Sequence, residues 1–162
     1  MSEYMNFYIR GGDNFYPIGT YCRSSVIYEM FNSAGYNDWE KIRPITEKGL
    51  KRVFDATKYN IENWERAIES HKKKIELIRT LPDYSLDEKL KKIEEYQEDN
   101  EEVEETIDAL ETCQRFAGFI RTIIEDGEST KYYDDIDTID PNHYVYVGIE
   151  IGNPKVGDIV GE

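Results

Sequence analysis

The chain has 162 residues, a formal net charge of −14, and hydrophobic and aromatic contents of 39% and 13%. That length suits one domain burying about two-thirds of its unfolded surface, and the apolar content excludes a disordered chain. No run reaches the roughly 20 apolar residues of a membrane span, and Met1-Ser2-Glu3-Tyr4 lacks the basic start and apolar stretch of a signal peptide.

The first segment reads as a β-hairpin. Met5–Arg10 and Phe15–Tyr21 are aromatic and β-branched runs separated by Gly11-Gly12-Asp13-Asn14, residues that tolerate the positive φ of a tight turn. Pro17 cannot donate to a ladder, so the second run is expected at a sheet edge or with a bulge. Ser24-Ser25 then offers an N-cap for a short helix from Val26 to about Phe31, which ends at Asn32-Ser33-Ala34-Gly35. Residues 36–45 read as a loop anchored by Tyr36 and Trp39, with Pro44 stopping any earlier helix.

Thr46 caps a long helix, whose first turn Gly49 weakens slightly. Leu50, Phe54, Thr57, Ile61, Trp64, Ile68, His71, Ile75 and Ile78 recur at alternating spacings of four and three, one continuous stripe. Leu81-Pro82-Asp83-Tyr84 ends it, and Ser85-Leu86-Asp87-Glu88 has the pattern of a capping box. The second stripe runs through Leu86, Leu90, Ile93, Tyr96, Val103, Ile107, Leu110, Cys113, Ala117, Ile120 and Ile124. Asn100 occupies a stripe position there, as His71 does on the first helix, and a polar residue at such a place most often sets register. Folding about Pro82 brings together residues whose numbers sum to about 168, so that His71 meets Tyr96 and Trp64 meets Val103. Residues 127–142 read as an acidic loop, 143–152 as a strand pairing with the amino-terminal hairpin, and 153–162 as a tail. The expected class is α+β: one domain with a small antiparallel sheet of about three strands from residues 1–45 and the carboxyl end. A long antiparallel helical hairpin over 46–126 projects from it.

Charge is distributed unevenly. Residues 1–82 hold thirteen Lys/Arg and eleven Asp/Glu, a net +2, whereas 83–162 hold seven and twenty-three, a net −16. Such a field repels nucleic acid and attracts basic surfaces, so direct DNA or RNA binding is not expected. Near the hairpin tip Lys72-Lys73-Lys74 should neutralise Glu94-Glu95. The middle differs: Glu98, Asp99, Glu101, Glu102, Glu104 and Glu105 lie opposite Glu62, Glu65 and Glu69, with only Arg66 to offset them. A solvated, solubilising face is the plain explanation. The functional one is a surface for a basic partner, with carboxylates standing in for phosphates. In size, charge and lack of a catalytic motif the chain resembles small phage-borne inhibitors of bacterial defence systems. That likeness implies a viral inhibitor that blocks a nucleic-acid-handling enzyme by mimicry.

No enzyme is expected, and no cofactor or metal. Only His71 and His143 are present, and no carboxylate stands three or four residues from His71. A Glu-x-x-His bundle motif is missing, as are P-loop and Gly-x-Gly-x-x-Gly signatures. Asp134, Asp135, Asp137 and Asp140 lack the glycine and terminal glutamate of a calcium loop. Cys22 and Cys113 form no disulfide framework, so free thiols in a reducing, cytoplasmic setting follow. The remaining local candidate is an anion pocket of Arg10, Arg23, Ser24 and Ser25, at a strand-to-helix junction where backbone N–H groups favour anions and would activate Cys22. Two alternatives therefore stand beside partner binding: a self-assembling scaffold and a small phosphate-ligand-binding domain. Outer apolar positions such as Val53, Phe116 and Phe119 require cover from the sheet or from a second subunit, which makes a homodimer the expected state.

Overall fold

A computed structural model describes residues 3–126 and 145–161. The acidic loop over 127–142, with its four aspartates, and His143 lie outside the described residues. Strands β1 (Tyr4–Gly11) and β2 (Asn14–Cys22) form the amino-terminal hairpin and lead into helix α1 (Val26–Ser33). A two-residue strand β3 (Arg43–Pro44) precedes the long helices α2 (Glu47–Thr80) and α3 (Leu86–Asp126), and strand β4 (Val145–Ile149) closes the sheet. The fold is α+β with a helical hairpin, as the periodicity predicts.

The sheet is antiparallel, ordered β2-β1-β4-β3, and so has four strands where about three were expected. The extra one is short enough to hide. Arg43 and Pro44 pair with Val147 and Tyr146, but two residues show no alternation, and proline reads as a breaker. Pro44 is tolerated because β3 is an edge. The other proline also sits as expected: β2 is the opposite edge, and its ladder skips Ile18 between Gly19 opposite Phe7 and Pro17 opposite Tyr8. Gly12, at φ 61°, supplies the left-handed turn residue.

Caps set the helix starts. Ser25 accepts from Ile27 N and begins α1, Thr46 accepts from Gly49 N and begins α2, and Ser85 Oγ accepts from Glu88 N at 3.3 Å at the start of α3. Gly49 has a packing role beyond propensity: a Cβ there would lie 1.7 Å from Tyr36 Oη. Tyr36 is buried, as an anchor should be, whereas the Trp39 side chain is 52% exposed and the loop is held there by a backbone bridge from Trp39 to Ile149.

One face of the sheet carries Met5, Phe7, Ile9, Val145, Val147 and Ile149 into the main core, against α1 and the proximal halves of α2 and α3. Phe7 meets Phe31 and Phe116 edge-to-face at 4.9 and 4.8 Å. The other face is covered as well. Tyr8 and Tyr146 pack there with Ile42 and Ile151, and Ile159 lies against them. Glu150, at φ 53°, turns the chain out of β4. The last residues then return along the loop, with Ile42 N donating to Asp158 O at 2.9 Å and Val160 N to Ile42 O at 2.8 Å. Residues read as a tail are therefore fastened to the sheet.

The hairpin emerges from this body. At about 1.5 Å per residue α2 is roughly 51 Å long and α3 roughly 61 Å. Its base is buried through Leu50, Val53, Leu110, Cys113, Ala117 and Ile120, and a small separate cluster of Ile75, Ile78, Ile93 and Tyr96 holds the distal end. Val53 and Phe116, expected to need cover from the sheet or from a second subunit, are covered within the chain, while Phe119 remains 49% exposed. No described helix is long and apolar enough to cross a membrane.

Candidate functional site

The nine carboxylates of the middle hairpin are all exposed. Glu62, Glu65 and Glu69 on α2 and Glu98, Glu101 and Glu105 on α3 repeat the same spacing of three and four residues, which places each triplet along one face of its helix. Only Glu69 enters an ion pair within 4 Å among the described residues, with Lys72 on its own helix at 3.8 Å. The expected cross-helix neutralisation of Lys72–Lys74 by Glu94 and Glu95 is not made. Lys74 Nζ instead lies 5.7 Å from the centre of the Tyr96 ring, where a cation is attracted to the π face.

The two helices divide the acidic groups between grooves. Glu62 and Glu65 share a groove of about 560 Å³ with Lys58, Ile61, Glu111, Gln114 and Arg115. Arg66 is thus not the sole base nearby: Lys58 stands one helical turn before Glu62 on α2, and the hairpin register brings Arg115 of α3 to the same groove. Asp99 and Glu102 line a second groove of about 290 Å³ with Trp64, His71, Val103 and Thr106. Trp64 is 39% exposed although it belongs to the stripe, so the seam opens there and its ring becomes surface.

Below that groove the two polar stripe residues meet. His71 Nδ1 and Asn100 Oδ1 are 2.7 Å apart, and the His71 and Tyr96 rings lie 5.2 Å apart. The expected His71–Tyr96 proximity is correct, and Asn100, one turn further along α3, is the hydrogen-bonding partner that sequence spacing did not single out.

The candidate anion pocket does not assemble. β1 pairs with β2 so that Arg10 is opposite Phe15 and Tyr4 is opposite Cys22. Arg10 and Arg23 therefore stand at opposite ends of the hairpin, about 20 Å apart at roughly 3.4 Å per residue. Arg10 Nε donates to Gly12 O at 2.8 Å and its Nη1 to Tyr146 Oη at 3.1 Å. Arg23 Nη1 pairs with Glu3 Oε1 at 3.3 Å. Ser25 is the cap, as sequence predicts, while Ser24 Oγ lies 3.1 Å from Cys22 Sγ. That contact with Ser24 lowers the Cys22 thiol below its ordinary range. The residues predicted as one site are a turn clamp, an ion pair and a helix cap.

No family model, curated protein or solved structure matches the chain. Among the described residues no cluster of three or more His, Cys, Asp or Glu is arranged to hold a metal ion.

Proposed function

We propose that the chain is a non-enzymatic cytoplasmic interaction protein whose acidic arm engages a basic surface of another protein. In its most concrete form it takes the place of nucleic acid on an enzyme that handles it. The observation that carries the reading is the carboxylate array. Between residues 94 and 111, α3 bears ten Asp/Glu and no Lys/Arg, about one charge per 2.7 Å of helix axis. Duplex DNA presents one per roughly 1.7 Å and a single strand one per roughly 3.4 Å. The array stands on a helical arm that projects from the folded body, where a partner's cleft can receive it, and a solubilising role alone needs no such concentration.

Affinity capture from a host-like lysate at low and high salt, with DNA and RNA as competitors, tests the reading. A nucleic-acid-handling partner is expected, retained at low salt and displaced by either competitor, because both contacts are electrostatic. The combined variant Glu101→Lys, Glu102→Lys, Glu105→Lys should lose at least about tenfold in affinity. Unchanged affinity in that variant would remove the acidic arm from the interface.

A further inference from the structure

The two grooves of the arm differ in what they lack. The one beside Glu62 and Glu65 includes Lys58 and Arg115. The one walled by Trp64, His71, Asp99, Glu102, Val103 and Thr106 includes no Lys or Arg. Neither Asp99 nor Glu102 enters an ion pair among the described residues. The other polar groups of this lining accept as well. His71 Nδ1 donates to Asn100 Oδ1, so the neutral ring keeps Nε2 as an acceptor. Thr106 Oγ1 donates its proton to Glu102 O at 3.1 Å, which leaves the hydroxyl only acceptor capacity.

The ring that walls the groove is also unoccupied. Lys74, Lys92, Arg121 and Arg10 lie over Tyr96, Tyr84, Phe54 and the Phe15 and Tyr146 rings. Among the described residues none lies over Trp64, although indole attracts cations best and this one is 39% exposed. We propose that this groove anchors an arginine side chain of the basic partner, its guanidinium stacked on Trp64 and ion-paired with Asp99 and Glu102, its stem along Val103. A volume of about 290 Å³ suits one long side chain. A planar guanidinium stacks on the indole while presenting paired N–H groups to carboxylates, which a lysine ammonium does not do. The inference rests on the reading of the arm as the contact for a basic partner, and adds which side chain of that partner is held and where.

Oligo-arginine and oligo-lysine peptides of equal length are the probes, since they match in charge and differ in the head group. In full-length Trp39→Phe, Trp64 is the remaining tryptophan, and oligo-arginine should change its emission saturably. By calorimetry the wild-type chain should bind oligo-arginine at least about fivefold more tightly than oligo-lysine. Trp64→Leu should abolish that preference, as should Asp99→Asn with Glu102→Gln, which alters only exposed positions. Retained oligo-lysine binding shows that Trp64→Leu is folded. Glu62→Gln with Glu65→Gln, in the other groove, should weaken both peptides and keep the preference. An unchanged Trp64 emission, or a preference that survives either groove variant, overturns the inference and leaves the acidic arm as a cation-binding surface. Failure of both peptides to bind overturns the inference together with the reading it rests on.

Discussion

His71 and Asn100, 2.7 Å apart in the seam, form a polar layer whose worth depends on both members. Removing one leaves the other half-buried without its partner, which costs about 1–2 kcal/mol, whereas replacing both by apolar side chains removes the requirement. Denaturant titration should therefore show Asn100→Ala and His71→Ala each destabilising, and His71→Leu with Asn100→Leu near neutral or stabilising. Losses that simply add would show that the pair is not coupled. The cysteines divide in a similar way. Contact with Ser24 lowers Cys22, while burial pushes Cys113 from its ordinary 9.0 up to about 12. A thiol reagent should modify one cysteine quickly and the second only on unfolding. Cys113 keeps its proton more tightly folded than unfolded, so its stabilising effect is complete below pH about 9 and is lost as pH rises to about 12. Burial also raises Tyr8 and Tyr21, and their effect has the same sign. Alkaline melts should show stability falling from about pH 9, less steeply in Cys113→Ala.

Among the elements, two glycines are decided by neighbours distant in sequence. Helix propensity alone favours Gly49→Ala by about 1 kcal/mol. With Tyr36 Oη 1.7 Å from the added Cβ, the substitution should instead destabilise by about 1–3 kcal/mol. A raised melting temperature in Gly49→Ala would show that Tyr36 yields without cost. Gly148 interrupts the apolar run of β4 because a Cβ there would stand 2.0 Å from the backbone oxygen of Lys41. The loop that reads as a plain connection thus crosses the strand closely enough to exclude any side chain, and Gly148→Ala should lower the melting temperature as well.

For the whole molecule, packing is concentrated at one end. The main core joins the sheet, α1 and the proximal halves of α2 and α3, whereas the distal arm is held by the Ile75, Ile78, Ile93 and Tyr96 cluster. Hydrogen exchange should follow that division, with strong protection in β1, β4 and residues 110–123 and markedly weaker protection in residues 72–96. Uniform protection along the arm in a monomeric sample would show that the distal seam is as stable as the body.

The α+β class, both long helices, their caps and the edge position of Pro17 were legible in the sequence because each rests on local periodicity or on the chemistry of one residue. Periods of 3.6 and 2, a serine before an apolar run and a proline without an N–H all act within a few positions. The residues placed far apart were not legible in the same way. Arg10 and Arg23 looked like one site because their strands pair, but antiparallel register sends them to opposite ends. Arg115 joined Glu62 and Glu65 in the acidic groove, β3 found its place, and the carboxyl-terminal residues closed over the second face of the sheet only when the chain was folded. These features depend on which distant surfaces meet, and that is settled by burial of apolar area in the whole molecule and not by any local pattern.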